Sequence, residues 1–115
     1  MILLSFDIDG TLEWGDPPGP LPLTMALDAK ARGYIVGSSS DRTLTEQRAM
    51  WATIDFDYDF VSHKHQLTAE TSRFGCTRQI HIGDTELDKY YAELAGFEFV
   101  WCTEVPAPAT PGWIL

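Results

Sequence analysis

Short apolar segments alternate with longer amphipathic stretches along this chain, and the alternation predicts the order of its strands and helices. Residues 2–6 (ILLSF) are almost continuously apolar, which is typical of a strand buried on both faces of a parallel sheet. Four later segments are also strand candidates; they are residues 34–37, 59–61, 79–82 and 98–101. Strands separated by helix-length segments favour an α/β domain whose sheet is mostly parallel.

The stretches between these segments carry helix signals. Residues 23–32 place apolar side chains near one helical face, and Gly33 follows as a stop. Thr43 and Glu46 form a capping-box pattern that opens a helix running to about residue 52. The two remaining predicted helices are residues 64–74 and 86–95. We therefore predict a Rossmann-like, three-layer α/β/α fold with a mostly parallel five-stranded sheet.

The composition fits one ordinary globular domain. The chain has 115 residues, 44% of them hydrophobic and 22% charged, so residues 1–115 are predicted to form a single domain with a proline-rich tail from about residue 105. No stretch approaches the roughly 20 apolar residues of a membrane-spanning helix, and the first residues lack the basic segment of a signal peptide. Two cysteines are too few for a disulfide framework. We expect a cytoplasmic protein with no membrane partner.

The charge balance limits the classes of partner. Eight Lys and Arg residues stand against 17 Asp and Glu residues, which gives a formal net charge of −9. The basic residues are scattered, whereas a protein that binds a nucleic-acid duplex needs clustered Lys and Arg to neutralise phosphates. The sequence therefore argues against a nucleic-acid partner.

Polar sequences follow three of the predicted strands, at the edge where ligands collect in open parallel sheets. Asp7 and Asp9 follow the first strand, residues 38–42 (SSSDR) the second, and Asp84 the fourth. Three carboxylates from two strands would repel one another unless a cation lay between them. Because Mg²⁺ prefers hard oxygen ligands of this kind, the sequence predicts a Mg²⁺ site at this edge.

The sequence around these carboxylates resembles two motifs of one family. Residues 6–12 (FDIDGTL) resemble the first motif of the haloacid dehalogenase (HAD) superfamily, and residues 81–88 (HIGDTELD) are similar to its fourth motif. The motifs stand in the family's order, and the likeness extends from Leu3 to Trp101. It implies a HAD-like, Mg²⁺-dependent phosphohydrolase that cleaves a phosphomonoester through an aspartyl-phosphate. It does not identify the phosphorylated substrate.

The resemblance also implies a role for each residue of the first motif. Asp7 would be the nucleophile that attacks phosphorus. Asp9 would protonate the leaving oxygen and then deprotonate the hydrolytic water. Gly10 would let the chain turn with its amide facing the phosphate, and Thr11 would cap that turn.

The fourth motif is implied to complete the metal site. Asp84 would hold Mg²⁺ together with the Asp7 carboxylate and the main-chain carbonyl of Asp9. Asp88, one helical turn later, would orient Lys64 or a metal-bound water.

The remaining implied roles concern the phosphate itself. A hydroxyl at the end of the second strand would hold it, and the family's spacing favours Ser40, with Ser39 and Ser38 as open alternatives. Asp41 would lie beside this phosphate site, where glycine is common in the family. Lys64, at the start of the third predicted helix, is the best candidate for the basic residue that screens the charge on the aspartyl-phosphate.

The segments between the motifs are short. Neither the stretch after Leu12 nor the one between Arg42 and Lys64 can hold the cap domain that some family members insert, so we predict a capless fold with an open site. A homo-oligomer that covers this site is a further expectation, with Trp14, the loop at residues 17–20 and the end of the tail as contact material. The alternative to an enzyme is a catalytically weak HAD-like module that binds Mg²⁺ and phosphate in a regulatory or interaction role.

Overall fold

The computed structural model describes residues 1–105, apart from the side chain of Glu70. The predicted strands form one sheet; they are β1 (Ile2–Phe6), β2 (Ile35–Ser40), β3 (Phe60–His63), β4 (Arg78–Gly83) and β5 (Glu98–Trp101). Their order is β3-β2-β1-β4-β5, and every neighbouring pair is parallel. The predicted five-stranded parallel sheet is confirmed. The tail beyond residue 105 lies outside the described residues.

Four α-helices connect these strands; they are α1 (Thr24–Ala31), α2 (Leu44–Ala52), α3 (Leu67–Thr71) and α4 (Glu86–Leu94). The capping box predicted at Thr43 and Glu46 is present. The helix predicted over residues 64–74 is broken, because 3₁₀ turns at Lys64–Gln66 and Ser72–Phe74 flank the short α3. The Thr71 hydroxyl donates to the Leu67 carbonyl at 2.7 Å, a back-bond that weakens and bends helices. No helix of the described residues is long and apolar enough to cross a membrane.

The strand β2 runs three residues beyond its predicted end. The serines at positions 38–40 lie within the strand, where Ser38 pairs with Phe6 of β1 and Val61 of β3. Ser39 and Ser40 continue the pairing with β3 alone, opposite Ser62 and His63. Pairing of this kind satisfies backbone hydrogen bonds and keeps the polar residues in extended conformation.

The sheet is the middle layer of three. Because successive strand residues point to opposite faces, Leu4 joins a buried cluster with Met25 of α1 and Trp51 of α2. Leu3, its neighbour, joins a second buried cluster with Ala92 of α4. Helices α1 and α2 therefore cover one face, and α3 and α4 cover the other, as the Rossmann-like prediction requires.

The order in which strands are added to the sheet changes side at β1. It moves outward from β1 to β2 and β3, and then crosses to β4 on the other side of β1. A ligand crevice is expected at such a switch point, outside the carboxyl ends of the two strands. Asp7 follows β1 and Asp84 follows β4, so both residues lie at this crevice.

Candidate active site

Asp7 is a buried carboxyl group at the end of the central strand. Its backbone N–H donates to the Ile82 carbonyl of β4 at 2.9 Å, which extends the β1–β4 pairing by one residue. The Thr11 hydroxyl donates to Asp7 Oδ2 at 3.3 Å, and Lys64 Nζ lies 3.6 Å from Asp7 Oδ1. Burial and the negative charge of Asp88 raise the pKa of Asp7 to about 8, although Lys64 opposes this shift. Without a further cation, Asp7 is therefore mostly protonated at neutral pH.

Lys64 and Asp88 form a buried ion pair beside Asp7. Asp88 is fully buried, and its Oδ1 contacts Lys64 Nζ. Its Oδ2 accepts the backbone N–H groups of Asp84 at 3.0 Å and Thr85 at 3.1 Å, so Asp88 also caps α4. Burial opposes ionisation, but the hydrogen bond and charge of Lys64 lower the pKa of Asp88 to about 2. The contact predicted between Asp88 and Lys64 is present in the structure.

Three carboxyl groups converge at the switch point. Asp7, Asp84 and Asp88 each offer an oxygen, and these three atoms lie within 4.8 Å of one another, so the group could hold a metal ion. The prediction named Asp7, Asp9 and Asp84, with Asp9 contributing its main-chain carbonyl. Because Asp88 is already paired with Lys64, the Asp7 and Asp84 side chains are the freer donors. Burial raises the pKa of Asp84 as well.

Gly10 makes this convergence possible. Its φ is +77°, in the left-handed region that favours glycine, and a Cβ atom there would lie 1.9 Å from Asp84 Oδ2. The turn after β1 can therefore pass close to Asp84 only because residue 10 has no side chain.

Asp9 lies outside the carboxyl cluster and is held by Arg42. Arg42 Nε donates to Asp9 Oδ2 at 2.9 Å, and Nη2 donates to Oδ1 at 2.8 Å, so the pair is bidentate. The backbone N–H of Asp16 donates to the same Oδ1 at 2.8 Å. The hydrogen bonds from Arg42 are the main cause that lowers the pKa of Asp9. Arg42 was not among the site residues predicted from the sequence. Its place just after Ser40 and Asp41, at the end of β2, was the available signal.

The structure separates the three serines of β2. The Ser38 hydroxyl donates to Gln47 Oε1 at 2.7 Å and accepts from Trp51 Nε1 at 3.0 Å, so it is bound to α2. Ser39 Oγ accepts from Ser5 Oγ at 2.9 Å in the sheet interior. Of the three, Ser40 lines the cleft above Asp7. The geometry therefore favours Ser40 over Ser39 as the phosphate-binding hydroxyl.

The cleft has a volume of about 330 Å³ and an acidic lining. Its charged walls are Asp7, Asp9, Asp41, Asp84 and Lys64. A phosphate dianion would meet four carboxyl groups and one ammonium group there, so it would be repelled unless a cation or protons neutralised the carboxylates. A second groove of about 320 Å³ lies between α4 and the segment that follows β3, and none of the described side chains that line it is a carboxylate.

The fold and the site together define a parallel α/β protein with an acidic centre at the switch point of its sheet. Comparisons with protein-family models, with curated proteins and with solved structures found no match for this chain. The function is therefore inferred from the geometry and chemistry of the site.

Proposed function

We propose that this protein is a Mg²⁺-dependent phosphohydrolase of the HAD type, which cleaves phosphomonoesters through an aspartyl-phosphate on Asp7. The observation that carries the proposal is the setting of Asp7. A buried carboxyl group at the end of the central strand faces an open cleft, with Lys64 at 3.6 Å and Asp84 in the same carboxyl cluster.

The donor set suits a hard cation. The cluster offers only carboxyl oxygens, and Mg²⁺ is bound in proteins through one or two carboxylates together with water and substrate oxygens. Asp7 and Asp84 would hold the ion with the main-chain carbonyl of Asp9. When bound, Mg²⁺ would neutralise these carboxylates and polarise the phosphoryl group.

The residues of the chain would then carry two displacements. An oxygen of the Asp7 carboxylate forms a bond to phosphorus, and the ester P–O bond breaks. The leaving oxygen takes a proton from Asp9, which must react here in its protonated form even though Arg42 favours the ionised form. Asp9 then takes a proton from water, whose oxygen attacks the phosphorus and releases phosphate from Asp7. Lys64 compensates the negative charge on the phosphoryl group, and the Ser40 hydroxyl donates to one of its oxygens.

The test is phosphate release from a panel of phosphorylated metabolites and peptides, measured with Mg²⁺ and with EDTA. Activity should require Mg²⁺, and Asp7→Asn should abolish it while the melting temperature stays near or above that of the wild type. Asp55→Asn is a suitable control, because Asp55 is exposed at the opposite edge of the sheet, before β3. Near-wild-type turnover by Asp7→Asn would rule out the covalent mechanism.

A second function is favoured by one observation, the engagement of both Asp9 oxygens by Arg42. If these hydrogen bonds keep Asp9 ionised, so that it cannot protonate a leaving oxygen, the protein is a module that binds Mg²⁺ and phosphate with little turnover. Mg²⁺ would then raise the melting temperature, yet no substrate of the panel would release phosphate.

A further inference from the structure

Arg42 joins three parts of the structure around Asp9. Its guanidinium donates twice to Asp9 and, through Nη1, to Glu46 Oε2 at 2.9 Å. Its flat face lies over the Trp14 ring, 4.8 Å from the ring centre. The loop after β1, the end of β2 and the first turn of α2 therefore meet at one side chain, which is only 23% exposed.

The main chain of Arg42 acts on a second site residue. Its backbone N–H donates to Ser40 Oγ at 3.0 Å. A hydroxyl that accepts this bond keeps its own proton free to donate elsewhere, and Ser40 lines the cleft. One residue thus orients both the proposed phosphate-binding hydroxyl and the proposed acid/base group.

The position of Arg42 favours action through Asp9 over direct contact with a ligand. Asp9 lines the cleft, whereas Arg42 is absent from the lining that the described residues form. Each of the three guanidinium nitrogens already donates to a carboxylate. A carboxylate has about four acceptor sites, and Arg42 and Asp16 use three of those on Asp9. The one left on Oδ2 is where Asp9 would carry the proton that it gives to a leaving oxygen, and where it would then accept a proton from water.

The backbone at Gly15 lies close to the pair formed by Asp9 and Arg42. A Cβ atom at residue 15 would lie 2.5 Å from Asp9 Oδ1 and 3.4 Å from Arg42 Nη2. The Asp9 carboxylate is therefore fixed between an arginine fork and a backbone turn, with little room to move.

We propose that Arg42 is a positioning residue for the phosphohydrolase reaction, which fixes the Asp9 carboxylate so that its one remaining acceptor site serves the cleft. This inference rests on the proposed function. A bidentate arginine sets both the place and the plane of a carboxylate, which a lysine cannot do.

The main test uses 4-nitrophenyl phosphate with Mg²⁺. Arg42→Ala should lower kcat by about 10- to 100-fold, because small misplacements of a reacting group have effects of that size, and should change KM by less than about twofold. Arg42→Lys should recover only part of the loss. In the Asp9→Asn background, Arg42→Ala should lower kcat no further, since the two side chains act as a unit. Arg48→Ala is the matched control, because Arg48 is exposed on α2, the helix that begins just after Arg42.

A second perturbation displaces Asp9 while Arg42 itself stays unchanged in sequence. Gly15→Ala should lower kcat as Arg42→Ala does, because the new methyl group displaces the carboxylate. Gly33→Ala is its control: residue 33 has a nearly equal φ of +91°, against +95° at residue 15, but no atom within 4 Å of its Cβ position. Loss of activity in both alanine variants would overturn the steric part of the argument.

Several results would overturn the proposal. A tenfold rise in KM at unchanged kcat in Arg42→Ala would show that Arg42 contacts the substrate. A rise in kcat in that variant would show that Arg42 inhibits the reaction. An equal loss of kcat in the Asp9→Asn background would show that Arg42 acts elsewhere. If the wild type releases no phosphate at all, the proposed function fails, but the pairing is still testable. A double-mutant cycle on the unfolding equilibrium should then give a coupling of at least about fivefold between Arg42 and Asp9, and additivity would refute it.

Discussion

Replacing Lys64 with methionine removes a positive charge from the most buried part of the site while keeping an unbranched side chain of similar length. Lys64 Nζ contacts Asp88 and lies 3.6 Å from both Asp7 Oδ1 and Asp41 Oδ2. The three ion pairs differ in burial, so the loss of each lowers the free energy of unfolding by a different amount.

The Asp88 pair dominates at neutral pH. With a pKa of about 8, Asp7 is mostly uncharged at pH 7 in the absence of a cation, so its attraction to Lys64 is largely missing there. The Asp41 side chain is 76% exposed, and exposed pairs contribute about 0–1 kcal/mol. Removing one partner of a buried pair costs about 3–5 kcal/mol, and this applies to the fully buried Asp88. We expect Lys64→Met to lower the free energy of unfolding by that amount at pH 7.

The cost should grow with pH. Above pH 8 the Asp7 carboxyl group ionises, and two unit charges 3.6 Å apart attract by about 5 kcal/mol at an effective dielectric constant of about 20. Desolvation of Lys64 cancels part of this attraction. The variant therefore loses a second, partly compensated ion pair that the wild type gains in this range.

Urea denaturation in EDTA at pH 7 and pH 9 measures both effects. Lys89→Met is the control, because Lys89 lies on α4 next to Asp88 in sequence but forms no ion pair within the described part of the chain, and it should change stability by less than about 0.5 kcal/mol. Adding Asp88→Asn to Lys64→Met should restore part of the stability, since it removes the unpaired buried charge. A Lys64→Met variant as stable as the control, or no recovery in the double variant, would refute the reasoning.

Three further predictions concern the cation and the turn that admits it. Millimolar Mg²⁺ should raise the wild-type melting temperature by mass action, and Asp84→Ala should weaken the effect; a wild-type curve indifferent to Mg²⁺ would contradict the site. In EDTA the pKa of Asp7 is about 8 in the folded state, against 3.8 for an ordinary aspartate such as that of the unfolded chain. The folded state therefore binds more protons between these two values, and urea titrations should show the free energy of unfolding falling as pH rises from about 4 to 8. Adding Mg²⁺ should flatten this decline, because the cation competes with the proton. Gly10→Ala should abolish the Mg²⁺-induced shift by displacing Asp84, whereas Gly96→Ala, with a similar φ of +81° and no atom within 4 Å of its Cβ position, should keep it.

The fold could be predicted because its signals are local. The apolar run of β1 and the capping box before α2 each depend on a few adjacent residues, and the structure reproduces both. The helix predicted over residues 64–74 is α-helical only at Leu67–Thr71. Its first residue, Lys64, lies in a 3₁₀ turn and pairs with Asp7 and Asp88, partners that are distant in sequence and give no local signal.

The approach of Asp7 to Asp84 could also be predicted, since parallel neighbouring strands end at the same edge of a sheet. For the three serines, the family's spacing favoured Ser40 but Ser39 and Ser38 stayed open, because the predicted strand β2 stopped at Gly37. With the strand extended to Ser40, the two-residue alternation of strands separates Ser39 from Ser38 and Ser40. The end of the strand then leaves Ser40 as the one that meets the cleft.

The bond between Arg42 and Asp9 has no local signal in the sequence. It depends on where the loop after β1 passes, which is set by the close approach of Gly15 and by the stacking of Trp14 on the guanidinium. Composition and spacing do not distinguish the environments of two aspartates that are separated by one residue. The environments that distinguish them come from elements 30 or more residues away in the chain, at Arg42 and Lys64.

Those environments divide the two aspartates in a way that bears on the proposed reaction. Asp7 is buried and has a raised pKa, whereas Asp9 sits at the rim of the cleft with a pKa lowered by Arg42. A nucleophile must be ionised, so Asp7 depends on a cation to displace its proton. Arg42 instead favours the ionised form of Asp9, which is the form that takes a proton from water in the second displacement. Stripping the metal should therefore disable the first displacement, whereas breaking the arginine pair should affect the proton transfers of Asp9. The two aspartates have the same side chain, but the proposed role of Asp7 depends on a divalent cation, and that of Asp9 depends on Arg42.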